Sequence, residues 1–174
     1  MAAKRYIKQL AGDLVEQAAT VTSAGAGNDG DLVALDPTGR LDQSLMPTGV
    51  GADTAAIVAS EALAAGDFVN VYTNAGVANV RKADASAANG GKRAVGYVLT
   101  TVTNGGTATV YFIGRNTAVT GRTPGARLFL SGTTPGAATE TAPTTAGYLV
   151  QGLGYAVAAT EVNVDIDERP VILA

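Results

Sequence analysis

From residue 55 onward, short apolar runs alternate with clusters of Gly, Pro, Asn and Thr. That rhythm predicts strands over 55–59, 67–73, 76–82, 93–101, 107–113, 127–131, 147–153, 155–159 and 161–167. In the last of these, Val162, Val164 and Ile166 alternate with Asn163, Asp165 and Asp167, giving one buried and one wet face. Two hairpins are predicted: 67–73 with 76–82 through Asn74-Ala75, and 93–101 with 107–113 across Asn104-Gly105-Gly106. Thr123-Pro124-Gly125-Ala126 recurs as Thr134-Pro135-Gly136-Ala137. Pro-Gly is the central pair of a type II turn, so two such turns bracket the strand between them and build a sheet corner. The expectation is an all-β fold, a small β-sandwich or β-barrel knob.

The first 50 residues follow a different pattern. Ile7, Leu10 and Leu14 sit at helical spacing, but Gly12-Asp13 falls in mid-segment, where Gly costs a helix about 1 kcal/mol relative to Ala. The same residues read as a hairpin, Arg5–Leu10 against Leu14–Val21 around Ala11-Gly12-Asp13, and this is the preferred reading. A stretch without large side chains, residues 22–30, leads to the apolar run Leu32-Val33-Ala34-Leu35. Asp36-Pro37-Thr38-Gly39 has the residues of a β-turn, and Leu41 to Met46 would form one helical turn stopped by Pro47. Thr48-Gly49-Val50-Gly51 reads as a linker. The expected organisation is an extended N-terminal arm over 1–50, with a hairpin and a linker, preceding a β-rich knob over 51–174.

Composition narrows the chemistry. The 174 residues include no His, Cys or Trp, which removes the commonest general base and zinc ligand, thiolate catalysis and every disulfide. Only 16% of residues are charged and the net charge is −3, which argues against direct binding of nucleic acid. Hydrophobic residues reach 47%, but most are Ala and Val, and there are 22 Gly. A core thin for the chain length is expected, and with it stabilisation by self-association or by docking on a larger assembly. No run approaches the roughly 18 apolar residues that span a bilayer, and Gly12, Asp13 and Glu16 interrupt the start too early for a signal peptide. Neither a membrane nor an export route is expected.

Each constellation with a chemical meaning has an architectural alternative. Gly25-Ala26-Gly27-Asn28-Asp29-Gly30 matches G-x-G-x-x-G, but no helix and no βαβ unit follows it, so it reads as linker. Asp165, Asp167 and Glu168 are the densest carboxylate group. Two of them at i and i+2 on a strand lie roughly 6.5–7 Å apart, a spacing open to a metal ion or to glycoside hydrolysis, and also to a solvated strand face. The solvated face is preferred, because sugar platforms need aromatic residues that are scarce here. Arg81-Lys82 and Lys92-Arg93 flank a small-residue loop, 83–91, a cluster open to an acidic partner and preferred as the solvated rim of the loop. Asp84-Ala85-Ser86 lacks the His that a triad requires. The six tyrosines fall about one per strand, as packing residues. No catalytic, metal or cofactor site is expected.

Two stretches carry a likeness to a known group. One runs from Ser23-Ala24-Gly25-Ala26-Gly27 through Leu35-Asp36-Pro37-Thr38-Gly39-Arg40-Leu41-Asp42-Gln43-Ser44-Leu45-Met46-Pro47 to Thr54. The other comprises Ala64-Ala65-Gly66-Asp67-Phe68-Val69-Asn70-Val71-Tyr72, Val80-Arg81-Lys82-Ala83-Asp84-Ala85, Ala94-Val95-Gly96-Tyr97-Val98-Leu99 and Gly154-Tyr155-Ala156. In these the chain resembles small virion structural proteins of tailed bacteriophages, the capsid decoration (cement) and head-fibre proteins. The resemblance implies a β-rich, oligomeric knob, with a trimer favoured, seated on the major capsid protein at the capsid surface after synthesis in the host cytoplasm. It also implies attachment through the N-terminal segment, for which Tyr6, Ile7, Leu10, Leu45 and Met46 are the candidate contacts by position and apolarity. Tail-fibre and baseplate proteins carry a similar Leu-Asp-x-Ser-Leu-Met-Pro link, so a fibre component, binding glycans through its β domain, is the alternative.

Overall fold

The computed structural model describes residues 4–46, 53–86 and 92–174, so Pro47, the linker 48–51 and residues 87–91 of the small-residue loop lie outside the described residues. The chain divides into two units, Met1–Gly51 and Ala52–Ala174. In the first, strands β1 (Arg5–Leu10) and β2 (Asp13–Ala18) form an antiparallel hairpin, which settles the choice between helix and strands. The reason is local. Ala11 and Gly12 have φ of 51° and 99°, two consecutive left-handed residues that stop a helix and make the tight turn of a two-residue hairpin. The second strand therefore begins at Asp13 and ends at Ala18, earlier than Val21. Beyond it the chain folds back, and Thr20 pairs in parallel with Val33. The Asp36–Gly39 turn forms with Gly39 N–H donating to the Asp36 carbonyl at 3.0 Å. The helical turn near Leu41–Met46 is a short 3₁₀ turn, Gln43–Leu45. The glycine-rich stretch holds a second 3₁₀ turn, Gly25–Asn28.

The second unit is all-β and built from a closed barrel beside an open sheet. The barrel consists of β3 (Thr54–Ala59), β4 (Phe68–Asn74), β5 (Val77–Lys82), β6 (Gly96–Tyr97) and β7 (Thr107–Tyr111), in the order β3-β5-β4-β6-β7. Closure rests on β3, which pairs in parallel with β5 and antiparallel with β7. The first predicted hairpin is β4–β5, but its turn is Ala75-Gly76, one residue later than expected, because Asn74 still pairs with Val77. The second is not a regular hairpin. Chain segments 93–101 and 107–113 meet only at Tyr97 and Tyr111, and Val102 pairs instead with Leu63. Short strands 114–116, 138–139 and 171–172 were not anticipated; they are too brief to show an alternation.

The sheet contains β8 (Gly114–Asn116), β9 (Arg127–Leu130), β10 (Ala138–Thr139), β12 (Gly152–Ala158) and β13 (Glu161–Val164), in the order β10-β9-β12-β13-β8. A separate pair joins β11 (Leu149–Val150) to β14 (Val171–Ile172). Both Thr-Pro-Gly-Ala turns form as expected, Ala126 N–H donating to Thr123 at 3.0 Å and Ala137 N–H to Thr134 at 3.1 Å, on either side of β9. The alternation read over 161–167 ends sooner than expected, since β13 stops at Val164. Past it, Asp165 and Asp167 N–H groups return to the Leu153 and Gly152 carbonyls.

Two cores fill this unit. Inside the barrel lie Ala59, Leu63, Val69, Val80, Val98, Val102, Ala108 and Val110. A larger cluster, with Phe68, Tyr97, Leu128, Leu130, Leu149, Leu153 and Val162, includes residues of both barrel and sheet. Phe68 and Tyr97 centroids are 6.3 Å apart, and Tyr97 stacks on Tyr111 at 5.5 Å. Ala and Val make up most of these cores; Leu63, Phe68, Tyr97, Leu128, Leu130, Leu149 and Leu153 are fully covered, while Val77, Ile113, Tyr155 and Val171 stay exposed.

Gly154 shows how tightly β12 is held. Its φ is 126°, it lies at a register shift against β9, and a Cβ there would strike the Asn163 carbonyl of the neighbouring strand. Gly154→Ala is expected to destabilise the second unit by roughly 2–4 kcal/mol, the scale of a disfavoured backbone conformation plus a forced strand shift. The midpoint of denaturant unfolding reads this directly.

Candidate functional site

In the first unit, strand alternation divides the hairpin into two faces. Tyr6, Lys8, Val15 and Gln17 lie on the half-buried face, and Arg5, Ile7, Leu14 and Glu16 on the exposed one. The buried face is closed by a polar network centred on Asp31. Its carboxylate accepts hydrogen bonds from Tyr6 Oη (3.3 Å), Thr20 Oγ1 (3.0 Å) and Asn28 Nδ2 (3.2 Å), and Lys8 Nζ lies 3.8 Å away. Tyr6 Oη in turn accepts from Leu32 N–H. Asp36 accepts from the Thr38 and Arg40 N–H groups, and Asp42 from the Ser44 N–H and hydroxyl.

Against this polar order, the apolar packing is nearly absent. Ala34 is the one buried hydrophobic among the described residues of this unit, whereas Ile7 (65% exposed), Leu10 (59%) and Leu14 (76%) stand in solvent, as do Leu32, Val33, Leu35, Leu41 and Met46. A lone two-stranded hairpin is marginal in water, and covering one such side chain recovers about 1.5–3 kcal/mol. The surface is therefore energetically incomplete by itself. Of the expected contacts, Ile7, Leu10 and Met46 are exposed. Tyr6 is turned inward to Asp31, and Leu45 is half-buried in a groove it shares with Val33 and Ser44. Leu14, Leu32, Val33 and Leu41 are exposed residues that sequence reasoning passed over, although strand alternation puts Leu14 on the Ile7 face.

In the second unit, the groups singled out for chemistry are largely engaged by the fold. Arg81 stacks 4.1 Å over the Tyr72 ring and donates to Asn70, while Lys82 and Lys92 pair with Asp67 and Asp84. Asp84 Oδ1 also accepts from Ser86 N–H and hydroxyl, so Asp84-Ala85-Ser86 is a side-chain-capped turn. Among the described residues no three acidic groups come together as a metal-ligand set. Asp165, Asp167 and Glu168 instead rim a cleft of about 620 Å³ between barrel and sheet. At its base Gln151, 1% exposed, bonds the N–H and carbonyl of Ala94 at 2.8 and 2.9 Å and the Asp167 carbonyl at 3.0 Å. No sequence pattern marks Gln151, because both of its partners are backbone groups brought near only by the fold. No protein-family model matches the chain, and no curated protein matches it.

Two outcomes are expected. Gln151→Leu orphans three backbone groups at once and lowers the unfolding free energy of the second unit by about 3 kcal/mol, measurable by denaturant titration. In the first unit, hydrogen bonds hold Asp31, Asp36 and Asp42 below the usual aspartate value of 3.8, from Asn28 and Thr20, from Arg40 and Thr38, and from Ser44 respectively. Their contribution is complete above that value and is lost as pH falls through the lower folded values. Protection of the amides over 4–46, taken against the intrinsic exchange rate at each pH, should therefore fall on acidification below about pH 4, and Asp31→Ala should remove the Asp31 part of that response.

Proposed function

We propose that this chain is a non-enzymatic structural protein of a tailed-bacteriophage virion, decorating and stabilising the capsid shell, with the major capsid protein as its partner. The observation that carries the reading is the contrast between the two units. The first has a polar scaffold and, among its described residues, eight large apolar side chains in solvent with only Ala34 buried, whereas the second, which also leaves eight large apolar side chains exposed, rests on two buried cores. A segment of the first kind gains its stability from whatever covers it. A protein that binds only the assembled shell lowers the free energy of that state by mass action, which is how a decoration protein strengthens a capsid. A trimer would match the three-fold positions of a shell lattice. The resemblance of residues 23–54 and of the segments around Phe68, Val80 and Tyr97 to decoration proteins supports the same reading.

The test is copy number and position on purified particles. Many copies on heads is the expected result, and few copies confined to tails would replace this reading with the fibre one. On heads, the full-length double variant Ile7→Asp/Leu14→Asp is expected to lose occupancy by more than tenfold, since two apolar anchors are replaced by charge. The thermal transition of its second unit should stay unchanged. Normal occupancy would remove the hairpin from the contact surface.

A further inference from the structure

The cleft between barrel and sheet offers a binding surface distinct from the proposed attachment unit. Its barrel wall comes from Asp53, Arg93, Val95, Phe112 and Ile113, and its sheet wall from Val164 to Glu168. At about 620 Å³ it lies within the usual size of a ligand cleft. Two properties define what fits. Between Asp53 and Arg93 the barrel wall presents an apolar, open strip, with Ile113 60% and Val95 38% exposed beside the half-buried Phe112. Four carboxylates, of Asp53, Asp165, Asp167 and Glu168, share the lining with a single cation, Arg93, and among the described residues none of the four is in an ion pair.

The carboxylates do not converge into a metal-ligand set, so a compact divalent ion does not match their spread. A long cationic side chain does: its methylene stem lies along an apolar wall while its head reaches carboxylates at the rim. An aliphatic side chain next to that cation would cover Ile113, which is 60% exposed. We propose that this cleft docks an extended segment of a protein partner in which Arg or Lys sits next to an aliphatic residue. Gln151 positions the docking surface, because it ties Ala94 on one side of the cleft to Asp167 on the other. Electrostatics gives the contact its orientation and its salt dependence, and the apolar wall distinguishes a peptide from a simple polycation.

The experiment titrates the full chain, by calorimetry, with a blocked hexapeptide of alternating arginine and leucine. Parallel arms use the same peptide with Leu replaced by Ser, spermidine, and calcium chloride. Saturable binding is expected that weakens with added salt, falls about tenfold for the Ser peptide, and falls about tenfold again for Asp165→Asn/Glu168→Gln. Ile113→Ser should weaken the arginine–leucine peptide and leave spermidine unaffected. These exposed side chains are replaced without loss of fold, which circular dichroism and the melting transition check. Absence of saturable binding, equal binding of the Ser peptide or of spermidine, preference for calcium, or indifference to the double variant overturns the proposal. None of these results depends on whether the chain is found on a virion.

Discussion

Strand β4, and the end of β6 with the residue that follows it, serve two cores at once, and the second unit is arranged around that demand. Phe68 and Val69 are neighbours in sequence, yet one joins the cluster shared by barrel and sheet while the other fills the barrel. Tyr97 and Val98 repeat the division. A strand buried on both faces can tolerate no polar side chain without a partner. Asn70 accordingly spends its amide on the Arg93 carbonyl and its oxygen on Arg81. Gly96, where a Cβ would meet the Tyr111 carbonyl, lets β6 come close enough to β7 for Tyr97 to stack on Tyr111.

The two units solve stability by opposite means. In the second, buried aliphatic and aromatic area dominates, and side-chain hydrogen bonds such as those of Gln151 and Asn116 stitch loops to that core. In the first, hydrogen bonds to three aspartates fix the backbone while apolar side chains remain outside. Polar networks specify geometry well but contribute little net free energy in water. A surface so arranged is preshaped and still has most of its apolar area left to cover, which suits a segment whose task is to bind.

Much of this was legible in the sequence. All-β character, the Pro-Gly turns around β9, and the β4–β5 hairpin followed from alternation and turn chemistry, since each depends on residues a few positions apart. Strands of two or three residues, such as β6 and β10, were not bounded correctly or not seen, because no period can be read from them. Segment 98–106 misled for another reason: Val102 is satisfied by Leu63, a partner that only the closed barrel brings near. In the first unit the apolar character of Ile7 and Leu10, both exposed, is plain in the sequence, but Tyr6 is not separable from them there. Its hydroxyl is claimed by Asp31, 25 residues away.

Barrel closure through β3 also sets an order of events in time. The β1–β2 hairpin joins neighbours across a two-residue turn and can form as soon as its own residues are available, whereas Thr54 must wait for Tyr111, and Ala94 for Gln151. The contacts of the hairpin are thus local, while closing the barrel has to wait for strands far along the chain. Arg5 and Glu16, interleaved with Ile7 and Leu14 on the outer face and paired at 3.1 Å, set charge among the apolar side chains of that face, the placement that discourages adhesion between exposed strands.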